Sequence, residues 1–148
     1  FHLKKLFLNK INKLTTDTCI FDRNKMSHKE ILINENYCRK KHKPAIAFIG
    51  VGLDGHIASI FDNSNEIMNV GFFSIIKKSN ESHHRVTHTM KSLMKVPNTI
   101  LVFRGKDKSK LFYGKKLSFD KNYKNYKNLK IVKNFIKSYK GNLSILTN

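Results

Sequence analysis

The sequence predicts an α/β fold in which a mainly parallel sheet is flanked by helices. Short apolar runs, as at 45–49 and 100–103, alternate along the chain with segments of helical periodicity. The run at 45–49 lies between Pro44 and Gly50 and contains no polar residue, which is typical of a strand buried on both faces. A chain of 148 residues is long enough to bury the core of one such domain.

The predicted elements begin with an amphipathic helix over residues 2–14, where apolar residues recur at helical spacing. Ser27 and Glu30 match a capping box, which predicts a second helix from Ser27 to about Lys41. The strand at 45–49 is followed by a turn and a short helix over 50–61. The later predictions are a polar loop at 62–69, a strand at 70–76, an extended segment at 85–89, a helical turn or two at 90–95, a strand at 98–103, helices at 106–113 and 131–139 with Gly141 as a C-terminal cap, and a final strand at 143–146.

The net charge of +19 would attract anions, among them nucleic acids and phosphorylated metabolites. Nearly all the cations are Lys, however, whereas specific readers of bases and phosphates are usually rich in Arg. The Lys residues also occur together with Asn, Ile, Tyr and Phe, a pattern typical of AT-rich codon usage. Residues 117–130 repeat Asn-Tyr-Lys and are interpreted as an inserted low-complexity surface loop. Stacking of its Tyr residues on single-stranded bases is the alternative interpretation.

Cys19 and Cys38 are too far apart in sequence for a Cys-x-x-Cys site, which favours a reducing, cytoplasmic environment. No apolar run is long enough to span a membrane. His83, His84 and His88 cluster in sequence, but neighbouring side chains of an extended segment point to opposite sides. No metal site is therefore predicted.

Gly50, Gly52 and Gly55 match the Gly-x-Gly-x-x-Gly pattern of dinucleotide-binding turns. Three features argue against a nucleotide. Asp54 would place a carboxylate where the pyrophosphate sits, the predicted helix after the turn is short, and residues 70–76 contain no acidic residue for the ribose.

Asp54 and His56 are the candidate functional residues of this turn, because open α/β sheets bind ligands at the carboxyl ends of their strands. A neutral imidazole can take a proton from water, and a carboxylate can orient the imidazole. The alternative is that Asp54 caps the predicted short helix and His56 merely lies in its first turn. The spacing alone does not decide between them.

The segment 50–61 resembles the Gly-x-Gly-x-Asp-Gly-His-x-Ala-Ser-Leu-Phe signature of the 6-phosphogluconolactonases. The related glucosamine-6-phosphate deaminases share Asp-Gly-His but usually continue with Ala-Phe-Asn, so Ala58, Ser59 and Phe61 favour the lactonases. Two weaker blocks support the resemblance. Residues 85–89 resemble the family's Arg-Ile/Val-Thr-Leu-Thr, and 100–108 resemble its apolar strand followed by Gly-x-x-Lys.

The resemblance implies a Rossmann-like sheet and hydrolysis of 6-phosphoglucono-1,5-lactone to 6-phosphogluconate, without a metal or other cofactor. It implies that His56 is the general base and that Asp54 supports it. Arg85 would bind the substrate phosphate or a nearby oxygen, and Lys108 could add a second charge to the phosphate. The alternatives are a surface salt bridge for Arg85 and a solvated side chain for Lys108. The substrate-binding turn itself would be formed in part by Gly52 and Gly55.

The implied partner is a small sugar phosphate, with no specific nucleic acid and no membrane. Fusion to, or association with, another pentose-phosphate enzyme stays open. The alternatives are a glucosamine-6-phosphate deaminase or isomerase and a basic nucleic-acid-binding module.

The family's domain begins with a strand and a Gly-rich loop, followed by a Ser-Asp-Glu-Arg block, and the sequence contains neither. Residues 1–13 resemble the helix that follows this block. We therefore expect residues 1–148 to be the C-terminal part of a single lactonase-like domain that is incomplete at the N-terminus. We expect this part alone to be poorly active.

Overall fold

The computed structural model describes residues 27–41, 43–62, 64–113 and 129–147. The helix predicted over 2–14 lies outside the described residues, as do residues 117–128 of the predicted insertion. The described elements are α1 (His28–Lys41), β1 (Ile46–Gly50), β2 (Ser64–Val70), β3 (Phe73–Lys78), β4 (His84–His88), α2 (Met90–Leu93), β5 (Asn98–Phe103), α3 (Lys106–Tyr113), α4 (Leu129–Ser138) and β6 (Asn142–Thr147).

The predicted parallel sheet is confirmed and has the strand order β1-β5-β6. Both neighbouring pairs are parallel, with Ile49 opposite Leu101 and Leu101 opposite Ile145. The apolar stripe of α4 covers one face of this sheet, where Val132 and Phe135 are fully buried. Burial of this stripe, as part of the main hydrophobic core, fixes α4 against the sheet.

The prediction that β1 is buried on both faces is wrong. Ile49 is 5% exposed and faces the core, whereas Ile46 and Phe48 are 48% and 68% exposed on the opposite face. The reason is that, among the described elements, α4 packs on the face that carries Ile49 and not on the face that carries Ile46 and Phe48. An unbroken apolar run therefore does not by itself guarantee burial on both sides.

A second sheet, which was not predicted from the sequence, is formed by the antiparallel strands β2, β3 and β4. The polar segment predicted as a loop at 62–69 is largely the strand β2. Its partner β3 begins at Phe73, because Gly71, with φ +61°, and Phe72 form the turn between the two strands. The strand predicted at 70–76 therefore begins three residues later than expected.

Helix α1 begins at the predicted capping box. The Ser27 amide and hydroxyl both donate to Glu30 Oε2 at 2.7 Å, and the Glu30 amide donates back to Ser27 Oγ at 3.3 Å. The helix lies against the β2-β3-β4 sheet, where Leu32 packs with Phe73 and Ile75. In the described parts of the chain, every helix is too short or too polar to cross a membrane.

The predicted cap at Gly141 is wrong, because α4 begins and ends earlier than predicted and ends at Ser138. Gly141 lacks the left-handed backbone of such a cap and serves instead for close packing. A Cβ at this position would overlap the Pro97 carbonyl and the Tyr139 side chain. The Tyr139 hydroxyl donates to the Val96 carbonyl at 2.6 Å, which joins the segment after α4 to the segment before β5.

Candidate active site

The candidate site is built on the turn that follows β1. The Val51 amide donates to the Val102 carbonyl at 3.0 Å, so pairing with β5 continues one residue beyond the strand. The chain then closes on itself, because the Gly52 amide donates to the His56 carbonyl at 2.9 Å. The Gly55 amide donates back to the Gly52 carbonyl at 3.0 Å. The turn therefore lies at the carboxyl ends of β1 and β5.

At two positions of the turn, neighbouring atoms approach so closely that only glycine fits. A Cβ on Gly52 would overlap the His56 ring and lie 2.7 Å from Asp54 Oδ1. Gly55, with φ +91°, lies against the backbone of Leu129 at the start of α4. Gly50 differs from both, because no atom lies within 4 Å of its virtual Cβ.

The predicted short helix after the turn is absent. Ala58 and Ser59 have φ values of +47° and +58°, and two left-handed residues in succession break a right-handed helix. The chain instead forms isolated bridges that join Ile57 to Val51 and to Ile60. The alternative that Asp54 caps a helix is therefore wrong.

Asp54 and His56 lie together, with His56 Nδ1 2.5 Å from Asp54 Oδ1. The His56 amide also donates to the same oxygen at 3.3 Å. The two side chains are 30% and 27% exposed, so the pair is half-buried and still open to solvent. If Nδ1 carries the proton that this carboxylate accepts, Nε2 is left with a lone pair for a second partner.

The Phe61 ring packs against the His56 imidazole, with ring centroids 4.4 Å apart and ring planes tilted by 37°. Phe61 is 6% exposed. Its packing and the Asp54 carboxylate together restrict the rotation of the His56 ring.

A cavity of about 480 Å³ opens beside His56. One wall is the edge strand β1, and the turn contributes Ala58 and Ser59. A second imidazole, that of His88, also lines this cavity. The full lining consists of Pro44, Ile46, Ala47, Phe48, Ile49, Gly50, His56, Ala58, Ser59, His88, Leu93 and Val96.

The sequence alone did not indicate that His88 lines this cavity. His88 Nδ1 lies 3.0 Å from Ser92 Oγ, and its ring packs on Phe73 with centroids 4.4 Å apart. Burial lowers the pKa of His88 below its ordinary value, and the charge of Arg39 lowers it further. The one hint in the sequence is that His88 occupies the position at which the Arg-Ile/Val-Thr-Leu-Thr block has Leu.

Arg85 lies close to the Asp54–His56 pair but does not line the described cavity. Its guanidinium carbon is 5.7 Å from the centroid of the Phe61 ring. Glu81 holds this guanidinium through two hydrogen bonds, from Nε at 2.8 Å and from an Nη at 2.9 Å. These bonds are the main reason why the pKa of Glu81 lies below its ordinary value.

Lys108 lies in the first turn of α3, which follows β5 at the carboxyl edge of the parallel sheet. The structure brings Arg85 and the Asp54–His56 pair to the same Phe61 ring.

The three clustered histidines diverge. His83 Nε2 contacts Glu81 at 3.1 Å and His84 Nδ1 contacts His28 at 3.4 Å, whereas His88 faces the cavity. In the parts of the chain that the structure describes, no three His, Cys, Asp or Glu side chains form a group that could hold a metal ion.

A family model described as glucosamine-6-phosphate isomerases/6-phosphogluconolactonase matches residues 10–119 of the chain. No curated protein matches the chain. Several solved structures share its fold. A 6-phosphogluconolactonase from Shewanella baltica OS155 is 15% identical with a TM-score of 0.63, over 85% of this chain and 54% of that one.

Two trypanosomal structures are similar at the same level. The 6-phosphogluconolactonase from Trypanosoma cruzi is 18% identical with a TM-score of 0.53, over 95% of this chain and 55% of that one. The 6-phosphogluconolactonase from Trypanosoma brucei is 22% identical with a TM-score of 0.53, over 88% and 56%. At these identities the likeness shows the fold, and the chain spans just over half the length of each of these three structures.

Proposed function

Because the chain belongs to the family of glucosamine-6-phosphate isomerases and 6-phosphogluconolactonases, we propose that the protein containing it hydrolyses 6-phosphoglucono-1,5-lactone to 6-phosphogluconate. The observation that carries this proposal is the Asp54–His56 pair, at 2.5 Å, beside a cavity of about 480 Å³. The continuation Ala58-Ser59, rather than Ala-Phe, favours lactone hydrolysis over deamination. The names of the similar structures point the same way.

In the proposed reaction, His56 Nε2 removes a proton from a water molecule while Asp54 accepts the hydrogen bond from Nδ1. The oxygen of that water attacks the lactone carbonyl carbon and forms a tetrahedral intermediate. The bond from this carbon to the ring oxygen then breaks, and the ring oxygen takes the proton from His56. The acid and the free hydroxyl group of 6-phosphogluconate result.

Asp54 has two roles in this scheme. Its carboxylate fixes the tautomer in which Nε2 can accept a proton, and it stabilises the imidazolium that forms during the attack. Phe61 restricts the ring from its face, so little conformational freedom remains to be lost on reaction.

We assign the substrate phosphate to Arg85, with Lys108 as a second positive charge, because a guanidinium can pair with two phosphate oxygens at once. We also propose that the backbone of the turn at Gly52 and Gly55 contacts the substrate, while the missing side chains make room for the His56 ring and for Leu129. These roles stay proposals.

The test is His56→Ala in the full-length protein, with hydrolysis of the lactone measured above its spontaneous rate. Loss of the general base should lower kcat by at least about 100-fold. His28→Ala is the matched control, because His28 lies on α1 and contacts His84 rather than the site. Near-normal turnover of the His56→Ala variant would remove His56 from the mechanism.

A glucosamine-6-phosphate isomerase or deaminase is the second candidate, because the matching family description includes it and the Asp-Gly-His segment is common to both activities. Release of ammonia from glucosamine 6-phosphate by the purified protein would favour this activity. Hydrolysis of the lactone without such release would favour the first candidate.

A further inference from the structure

We propose that Lys78, His83 and Arg85 form a phosphate-binding site that the carboxylate of Glu81 occupies when no substrate is bound. The phosphate of the substrate would bind by displacing Glu81. Glu81 would thus be an internal competitor that sets the affinity of the site for anions. This inference rests on the proposed function only for the identity of the ligand as a sugar phosphate.

Three basic side chains converge on the Glu81 carboxylate. The Arg85 guanidinium donates to both carboxylate oxygens, from Nε at 2.8 Å and from an Nη at 2.9 Å. His83 Nε2 lies 3.1 Å from Oε2, and Lys78 Nζ lies 4.0 Å from Oε1. A phosphate group offers three oxygens to the same set of donors, and a guanidinium fork fits two of them as it fits a carboxylate.

The site lies beside the proposed catalytic pair. Lys78 Nζ is 4.8 Å and the Arg85 guanidinium carbon 5.7 Å from the centroid of the Phe61 ring. The same ring packs on His56 at 4.4 Å. One aromatic side chain therefore separates the basic cluster from the imidazole, a separation that a six-carbon sugar phosphate can bridge.

Glu81 is placed so that it can leave the site. It lies in the turn between β3 and β4, where its amide donates to the Lys78 carbonyl at 3.0 Å. Its side-chain partners Lys78, His83 and Arg85 all lie within four residues of it, so release of the carboxylate breaks no link to a distant element. The Lys78 and Arg85 side chains are each 32% exposed, which leaves them open to an incoming anion.

Charge decides the direction of the competition. Lys78 and Arg85 contribute two positive charges, and Glu81 cancels one of them. A phosphate dianion interacts more strongly with these cations than a single carboxylate does, so it can replace Glu81. A sugar without phosphate carries no charge and cannot. The site would therefore discriminate by charge.

The test is Glu81→Gln in the full-length protein, with binding of inorganic phosphate and of 6-phosphogluconate measured by calorimetry at low ionic strength. Removal of one negative charge within about 4 Å of the ligand should tighten phosphate binding about fivefold. Glu66→Gln is the matched control, since it removes the same charge from a carboxylate that contacts Ser74. Glucose, which carries no charge, should show no comparable gain.

The double variant Glu81→Gln/Arg85→Gln should lose the gain in phosphate affinity. Unchanged or weaker phosphate binding in Glu81→Gln would overturn the inference, and so would a gain that persists without Arg85. Binding and hydrolysis separate the two proposals. If Glu81→Gln tightens phosphate binding while His56→Ala keeps its turnover, the anion site stands and the proposed hydrolysis fails.

Discussion

At the scale of single residues, Ala58 and Ser59 show how the turn obtains its shape. Both adopt the left-handed region, which costs a residue with a Cβ roughly 1–2 kcal/mol. The neighbouring Ile57 is fully buried and pairs with Val51 and Ile60, so packing of this side chain compensates the strain. Strained backbone of this kind is frequent beside reactive side chains, and here it directly follows His56.

Gly52 allows a sharp test of the geometry of the pair. In Gly52→Ala the new methyl group would overlap the His56 ring and displace it from Asp54, so kcat for lactone hydrolysis should fall about 100-fold. Lys29→Ala is the control, because Lys29 is exposed on α1 and does not line the cavity, so turnover should hardly change. Circular dichroism should show both variants folded, and equal turnover of the two would contradict the assignment.

His88 should make stability depend on pH. Its pKa in the folded chain lies below the value of 6.5 expected when unfolded, so below pH 6.5 the unfolded state binds more protons. Stability should therefore fall as the pH drops from 6.5 towards the folded pKa. In His88→Leu this part of the decline should vanish in urea unfolding measured at several pH values. An unchanged pH profile would show that another group causes the decline.

The sequence predicted the position of the Asp54–His56 pair well, because the pair is local and its geometry depends on a turn of five residues. The place of Arg85 beside Phe61 could not be predicted in this way. It depends on pairing of β3 with β4 and on the fold of the turn after β1, neither of which local spacing determines. His88 could not be placed from local spacing either, because it lies on β4 but lines a cavity whose wall is β1.

At the scale of elements, the sequence predicted the helices and strands whose own residues form a recognisable pattern. The capping box located α1, and apolar runs located β1, β5 and β6. Strand β2 gave no such signal, because Ser64, Asn65 and Glu66 are polar and the strand exists through its pairing with β3. Edge strands with solvent on one side can carry such sequences, so hydrophobic pattern alone could not distinguish β2 from a loop.

The capping box should contribute measurably to the stability of α1. Ser27→Ala removes the hydroxyl that exchanges hydrogen bonds with Glu30, and loss of such a cap costs about 1 kcal/mol. Urea unfolding measures this difference. Ser82→Ala, at an exposed position between β3 and β4, is the control and should leave the free energy of unfolding unchanged. An equally small effect of both variants would show that the cap contributes nothing.

At the scale of the whole molecule, the charge of +19 raises the question of nucleic acids again. The cluster of Lys78, His83 and Arg85 is small and partly neutralised by Glu81, which does not resemble an extended nucleic-acid surface. We therefore predict weak DNA and RNA binding that disappears when salt is raised from 50 to about 200 mM. Binding that survives this change, measured by fluorescence anisotropy, would favour a specific nucleic-acid function.

The face of the β1-β5-β6 sheet opposite α4 gives the net charge a second role. Ile46, Phe48 and Leu146 are about half exposed or more on this face, and two such faces could adhere to each other. Repulsion between molecules that each carry +19 acts against such contact, but its range shrinks to about 10 Å at 0.1 M salt. The colloidal stability of the chain therefore depends on ionic strength, and a concentrated solution that is clear in dilute buffer should become turbid as salt is added.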